Sequence, residues 1–440
     1  MPLIELAQTS PSAQQKKYSA VIGVPVHNEE RYIARSLNLL DHQSDPTDDY
    51  AIVLLLNNCT DGTLSVLQSL NAELVHDVYF LNITLPKNLA HAGMARKLAM
   101  DTAARLTTPH GIVLTTDADA VVTIDWLAMT RKHIANGADA VSGFVQHNPA
   151  DKEDWPPALR KRTELECRYE DLLAELYATL DPRPHNPLPC HMITLGASLA
   201  ATREAYHKCG GVPPIPCGED RAFIAALERS DARVRFPRDV IAYTSSRLAG
   251  RAEGGMASTL KARADCPDLP CDPLLEPVSR ARKRAEWRCI LRGLWPAALP
   301  LTWATTLKIS PAKLCTAWAS PSFAQAWQLL EAASPELQRA ALTLTELAAE
   351  LTGMNALLGQ LRAQSTGRTG DAQQHATAAG ATASGATANR QGQRPSHRLA
   401  DTAGNYVDRA ASIAAKAAAT AIGSTTLPEA PSTSIAGRTS

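Results

Sequence analysis

Four short apolar runs alternate with helical stretches between Ser19 and Thr116, and this alternation constrains the fold more than any other feature of the chain. The runs are Ser19–Val26, Ala51–Leu56, Val78–Thr84 and Gly111–Thr116. Each has the length of a strand and few polar residues, as strands covered on both faces do. Between them lie a segment from Asn28 to about Leu40, one marked by Leu64, Leu67 and Leu70, and one from Ala92 to Arg105, all spaced as helices. Strand and helix repeated in this way imply α/β architecture: a doubly wound, mainly parallel sheet with right-handed crossovers. Asn28 reads as the N-cap of the first helix, with Glu29 and Glu30 favourable beside its positive end. No G-x-G-x-x-G follows the first run and no G-x-x-x-x-G-K-[ST] occurs, so dinucleotide and P-loop readings lose their main support.

Polar residues gather at the ends of these runs. Asp117-Ala118-Asp119 closes the fourth. Two carboxylates one residue apart can converge on a hard divalent cation, Mg2+ or Mn2+, with a diphosphate supplying the rest of the shell. Ligands of open α/β sheets bind beyond the carboxyl ends of the strands. Aspartate pairs also cap helices and make turns, so the neighbours give the motif its meaning. Pro25-Val26-His27-Asn28-Glu29-Glu30 ends the first run, and Asn57-Asn58-Cys59-Thr60-Asp61-Gly62-Thr63 the second. Amides and carboxylates there, Asn28, Glu29 and Asn58 among them, can hydrogen-bond a base and a ribose. For Asp61-Gly62, turn chemistry is the stronger reading.

His91, Arg96 and Lys97 lie at or within the third helix, where they can meet phosphate or base; plain solvated helix charges serve as well for the two cations. Glu219-Asp220 opens a later helix after a Pro/Gly-rich loop. An alcohol attacking a sugar carbon needs a base for its proton, and a carboxylate is the usual choice, although either residue can simply cap the helix. After the last strand, Arg247 and Arg251 can neutralise a departing diphosphate, or form a basic surface loop.

From Ala138 the order changes. Ala140–Val145 reads as a strand, and Leu165, Tyr169, Leu172, Leu176 and Leu180 mark a long helix. Met192–Ala200 is strand-like, with Gly196 and Ala197 small enough for close approach by a ligand. Arg203–Cys209 is a short helix stopped by Gly210-Gly211, and short strands at Arg233–Phe236 and Val240–Thr244 follow. An all-helical region opens at Arg280. Leu337, Ala340, Leu344, Leu347, Leu351, Met354, Leu358 and Leu361 repeat at 3-4 spacing. This seam fits a helix from a second copy, giving a homodimer through 337–361, or an ordinary helix packed on its own domain. After about Gln364 the chain turns to Ala, Thr, Gly, Ser and Gln, which bury too little to offset the entropy of ordering, so 364–440 reads as a disordered tail.

Composition excludes several classes. Lys+Arg and Asp+Glu both number 44, which gives no general attraction to nucleic acid or acidic membrane. Aromatic content of 5% argues against a base-stacking surface. Nine cysteines without a C-x-x-C suggest neither a zinc site nor a disulfide framework, and their odd number fits a reducing cytoplasm. The N-terminus lacks the basic start and apolar core of a signal peptide. Arg292, Pro296 and Pro300 interrupt the longest apolar stretch, Cys289–Ile309, which makes it a poor spanning helix. It reads as a buried helix pair, with peripheral membrane contact the alternative.

Taken together, the motifs after the first and second runs, Asp117-x-Asp119, Gly196-Ala197-Ser198 and Gly218-Glu219-Asp220 resemble family 2 glycosyltransferases of the GT-A fold, over about residues 18–255. The resemblance implies inverting transfer of a single sugar from a UDP-, GDP- or dTDP-linked donor to an acceptor hydroxyl that the sequence does not identify. It implies that Asp119 binds the metal, that Asp117 contacts metal or ribose, and that Pro25, His27, Glu29, Asn58 and His91 line the nucleoside pocket. Asp220 would be the general base, supported by Glu219. Many relatives have Asp-Asp where this chain has Asn57-Asn58, which bears on base selectivity. The Gln-x-x-Arg-Trp motif of processive members and their membrane helices are missing. No histidine follows the last strand as a third metal ligand, so metal affinity would depend on bound nucleotide. The organisation expected is an extension (1–17), a GT-A-like domain with nucleotide (18–137) and acceptor (138–255) halves, a helical region (256–363) that the resemblance does not explain, and the tail. The alternatives are a nucleotide-binding scaffold without catalysis and a sugar-phosphate nucleotidyltransferase. The latter usually carries a Gly-rich, Arg/Lys-containing loop where this chain has Val-His-Asn-Glu-Glu.

Overall fold

The computed structural model describes residues 5–6, 16–70, 72–248, 250 and 254–380, with side chains as far as 364. Strand β1 (Glu5–Leu6) precedes the expected alternation of β2 (Tyr18–Val26), α1 (Ile33–Asp41), β3 (Tyr50–Asn57), α2 (Thr63–Leu70), β4 (Asp77–Ile83), α3 (Ala92–Leu106) and β5 (Thr107–Thr115). Then come β6 (Val121–Val122), α4 (Trp126–Ala135), β7 (Ala140–Ser142), β8 (Phe144–His147), α5 (Pro149–Lys152) and the long α6 (Pro157–Leu180). Next are β9 (Leu199–Thr202), α7 (Arg203–Lys208), α8 (Glu219–Arg229), β10 (Val234–Arg235) and β11 (Ile241–Thr244). The helical region holds α9 (Met256–Asp265), α10 (Val278–Leu294), α11 (Thr302–Thr306), α12 (Pro311–Trp318), α13 (Phe323–Ala333) and α14 (Leu344–Gly380).

The main sheet runs β1-β4-β3-β2-β5-β9-β7-β10, and β6-β11-β8 form a second, smaller one. β4, β3, β2 and β5 are mutually parallel neighbours, while β9 lies antiparallel between β5 and β7. Period-two alternation divides the side chains between two layers. Val21, Val53, Leu81 and Val113 face α3, α7 and α8, whereas Ile22, Leu54, Phe80 and Leu114 face α1, α2 and α4. The doubly wound reading therefore holds. After β4 the chain crosses to the other side of β2 to form β5, which makes the end of β2 the point where strand order reverses. β5 pairs with β2 only as far as Gly23↔Thr115, but β3 stays paired to Val26↔Leu56. A crevice opens there between the end of β2 and Asp117–Asp119.

Several expectations are corrected. Asn28 is not a helix N-cap: it has φ 55°, Tyr32 occupies the N-cap of α1, and the Asn28 Oδ1 accepts from the Thr60 and Asp61 amides at 2.7 and 3.3 Å. Residues 140–145 are two strands in different sheets, β7 and β8, because the chain leaves the main sheet at Gly143. Of the strand-like stretch Met192–Ala200 only Leu199 and Ala200 enter a strand, β9, leaving 192–198 as the loop that carries Gly196.

The proposed homodimer seam at 337–361 is corrected as well. Leu347, Leu351, Met354 and Leu358 are buried in their own chain against Tyr169, Leu173, Leu176 and Tyr177 of α6 and Ala281 and Ala285 of α10. Leu337 belongs to a 3-10 turn and packs elsewhere, with Leu291, Leu307 and Trp327, so the heptad pattern is not one continuous helix. α14 runs to Gly380, beyond the 364 boundary; the rest of the expected tail, 381–440, and most of the 1–17 extension lie outside the described residues. Among the described residues no helix is long and apolar enough to cross a membrane, and none of the nine cysteines is in a disulfide.

A buried ionic cluster fixes the helical region to α6. Glu276 is fully buried and accepts from Arg284 at 2.8 Å, from Arg339 at 3.2 Å and from the Tyr177 hydroxyl at 3.3 Å, while Tyr169 donates to its carbonyl at 2.8 Å. Asp181 at the end of α6 pairs with Arg288 and Arg292 of α10.

Replacing Met354 with Asp places an unpaired carboxylate in this core. We expect a loss of about 3 kcal/mol or more in a denaturant titration, with the sedimentation mass unchanged from that of the native chain. A halved mass with stability intact would restore the dimer seam.

His76 supplies a pH-dependent contribution. Its ring stacks on Tyr50 and reaches Asp41 and Asp48 at 3.1 and 3.0 Å. Burial favours the neutral imidazole, but the two carboxylates outweigh it and raise the pKa above the usual value. A raised folded-state pKa contributes stability that is complete below the unfolded value and is lost as pH rises through the folded one. The stability difference between the native chain and His76→Gln is therefore larger at about pH 5.5 than at about pH 9, as paired denaturant titrations would record.

Candidate active site

Arg96 is the centre of the crevice, and it is 4% exposed. Its guanidinium donates from Nε to Glu219 at 3.0 Å, from Nη1 to the Thr115 hydroxyl and the Gly196 carbonyl at 3.1 Å each, and from Nη2 to Asp117 at 2.7 Å. Five fixed donors allow one arginine to bind four groups from different parts of the chain. Burial works against its charge, but Asp117 and Glu219 more than compensate and raise its pKa. Reading Arg96 as a solvated helix charge is therefore overturned. Its sequence signal is a lone arginine in the stripe Gly93, Arg96, Met100, Ala103 that α3 buries.

Small residues permit this convergence. A Cβ on Gly196 would lie 2.4 Å from Arg96 Nη2, and a Cβ on Gly93 only 2.0 Å from the Ile215 carbonyl. The first lets the 192–198 loop rest on the guanidinium. The second lets the loop before α8 lie against α3, which brings Glu219 within reach of Arg96. Gly218, with φ 77°, is the N-cap of α8, so neither Glu219 nor Asp220 supplies the cap. Asp220 accepts the Arg221 amide at 2.7 Å. Burial raises its pKa; the Arg221 N–H opposes this, Glu219 adds to it, and Arg96 opposes it.

Across the crevice, Arg247 bridges Asp119 at 3.1 Å and Glu29 at 3.3 Å, with its guanidinium 4.8 Å from the centre of the Tyr32 ring. Asp119 is pushed up to about 7 by burial first, then by Asp117 and Glu29, despite Arg247. Asp117, Asp119 and Glu29 thus lie close enough to repel one another. These hard oxygen donors in mutual repulsion suit a divalent cation. Among the described residues no three acidic, histidine or cysteine side chains could hold a metal by themselves. A cation at Asp117 and Asp119 therefore needs further oxygens, of the kind a diphosphate provides.

The other sequence-derived positions separate into two groups. Pro25, His27 and Glu29 remain at the crevice. Pro25 is half-buried opposite Leu55. His27 is exposed with Nδ1 2.8 Å from the Asn57 carbonyl, and the Glu29 amide donates to the Thr63 hydroxyl at 2.8 Å. Asn58 and His91 make hydrogen bonds to the backbone. The Asn58 amide donates to the Leu85 carbonyl at 3.0 Å and accepts the Leu85 N–H at 2.9 Å, which braces the loop after β4. His91 is the N-cap of α3 and accepts the Met94 amide at 3.2 Å. Asp61 serves the turn, as expected, accepting from the Thr63 amide at 3.1 Å. Arg251 lies outside the described residues.

Arg96→Met strands two carboxylates around an apolar side chain. Breaking one side of a buried pair costs about 3–5 kcal/mol, and we expect that loss in a denaturant titration. Adding Glu219→Gln should recover part of it; losses that simply add would show that the two residues do not act as a pair.

Residues 21–193 match the family model described as Glycosyl transferase family 2. No curated protein matches the chain. Among solved structures, the mannosyltransferase PcManGT from Pyrobaculum calidifontis, in complex with GDP-Man and Mn2+, is 19% identical, with 74% of this chain and 88% of that one covered and a TM-score of 0.38. S. aureus TarS 1-349 in complex with UDP is 14% identical, over 71% and 90% of the chains, with a TM-score of 0.36. Glucosyl-3-phosphoglycerate synthase from Mycobacterium tuberculosis, in complex with Mn2+, UDP and phosphoglyceric acid, is 19% identical, over 56% and 76%, with a TM-score of 0.34. The family match thus spans β2 to the loop before β9, the part of the chain that carries Asp117, Asp119 and Arg96.

Proposed function

We propose that the chain transfers a single sugar, with inversion, from a nucleoside-diphosphate sugar to an acceptor hydroxyl. The observation that carries this reading is the Arg96 bridge, which joins Asp117 at the end of β5 to Glu219 at the start of α8, one residue from Asp220. Donor-side and acceptor-side carboxylates are held in one rigid unit. In this reading the nucleoside lies at the end of β2, beside Pro25, His27 and Glu29. Asp119 and Asp117 would hold Mg2+ or Mn2+, which when bound offsets charge on the diphosphate. Arg247 is the protein's own cation for that charge: its Nη1 is buried without a hydrogen-bond partner, so it keeps a donor for a phosphate oxygen.

Asp220 takes the acceptor proton. Its raised pKa makes it a stronger base than an ordinary aspartate, and its place beside Glu219 keeps it at the crevice. Glu219, tied to Arg96, positions the start of α8 and does not itself take the proton.

Calorimetric titration with UDP, GDP and dTDP, with and without Mn2+, tests the donor site. One nucleotide should bind with metal dependence, and Asp119→Ala should abolish that dependence. A folded protein that binds none of the three would favour the scaffold reading. Once a donor is known, Asp220→Asn should lower kcat by about 10²–10⁴-fold with little change in nucleotide affinity.

A further inference from the structure

A cavity of about 230 Å3 lies between α6, the 181–194 segment, α8 and α10. One of its walls is α8, the helix that begins with Glu219 and Asp220. Successive residues of a helix turn by about 100°, so neighbours point to different sides. Glu219 faces Arg96, while Arg221, Ile224, Ala225 and Glu228 line the cavity. Asp220 lies between those two directions. The helical region completes the enclosure through Arg288 of α10, with Leu274 from the segment before it.

Most polar groups of the lining are already paired, but His191 Nδ1 is buried without a hydrogen-bond partner. Arg183 meets Glu228 at 3.0 Å, Arg221 meets Asp272 at 2.7 Å, and Asp181 meets Arg288 and Arg292. Asn186 Oδ1 accepts from Arg235 at 2.7 Å, and His191 Nε2 is 3.0 Å from the Ser142 carbonyl. Burial holds the His191 pKa down at about 4, which keeps its ring neutral. What remains for a ligand is that one neutral ring nitrogen and apolar surface from Ala174, Tyr177, Ala178, Ile224, Phe236 and Leu274. A charged ligand would find no unpaired counter-ion, and a strongly hydrated one would exchange water for carbon.

We propose that this cavity receives the body of the acceptor, and that the acceptor is an uncharged, apolar alcohol. The inference rests on the transferase reading. In the step it serves, the alcohol oxygen bonds to the anomeric carbon as the bond from that carbon to the diphosphate breaks. The hydroxyl proton passes to Asp220, and the electron pair leaves with the nucleoside diphosphate.

The test is calorimetric titration of the full chain with 2-phenylethanol as an apolar alcohol and glycerol as a polar one. Ala178→Phe and Ala225→Phe fill the cavity independently, from α6 and from α8, and both positions are only half-buried. 2-Phenylethanol should bind at least tenfold more tightly than glycerol, and each filled variant that still melts cooperatively should lose tenfold or more. Equal binding of the two alcohols, or undiminished binding by a folded filled variant, overturns the proposal. Nucleotide titration of the same samples separates the two readings. Nucleotide binding without any preference for 2-phenylethanol removes the cavity proposal alone. Loss of nucleotide binding by the folded native chain removes the transferase reading, and the acceptor assignment with it.

Discussion

The buried guanidinium of Arg96 is the constraint on which the crevice depends. A lone charge inside a protein is costly, and it is tolerated only when its surroundings supply opposite charge and complete its hydrogen bonds. Here Asp117 and Glu219 supply the charge, and Thr115 and Gly196 complete the bonding. Their positions become interdependent as a result. The end of β5, the loop before β9 and the first turn of α8 cannot shift separately without leaving a buried ion short of a partner. The small side chains at Gly93 and Gly196 follow from the same requirement, because bulk at either place would separate groups that the arginine holds together.

Opposite this fixed wall lies a second cluster. Arg247 is shared by Asp119 and Glu29, and burial, followed by repulsion from Asp117 and Glu29, raises the Asp119 pKa. One wall of the crevice is thus complete in its hydrogen bonds, and the other includes an arginine nitrogen that has a donor to give. That asymmetry suits a ligand that brings both a cation and phosphate oxygens.

The helical region is part of the same structure. Glu276 and Asp181 gather arginines from α10 and beyond, and the apolar face of α14 packs on α6. Charge pairing and apolar burial act on the same helix from two sides. α6 in turn forms a wall of the cavity beside α8, so residues far along the chain shape the space next to the crevice.

The sequence by itself determined the alternating strands and helices, the placement of Asp117, Asp119, Glu29 and Asp220 at element ends, and the long apolar helix from Leu165. These are local properties, set by periodicity over a few residues and by the steric demands of turns. The partner of each charge was not legible, because pairing joins residues far apart in the chain. Arg96 read equally as a ligand contact or a surface charge until α3 packed against β2 and β5, and the backbone hydrogen bonds of Asn58 and His91 appear only once the loops after β3 and β4 are in place. The seam from Leu344 to Leu361 shows the same limit: 3-4 spacing specifies an apolar face but not which surface covers it. Only the tertiary structure decided that α6 and α10 of the same chain do so, since burial depends on what lies across from a side chain as well as on its neighbours in sequence.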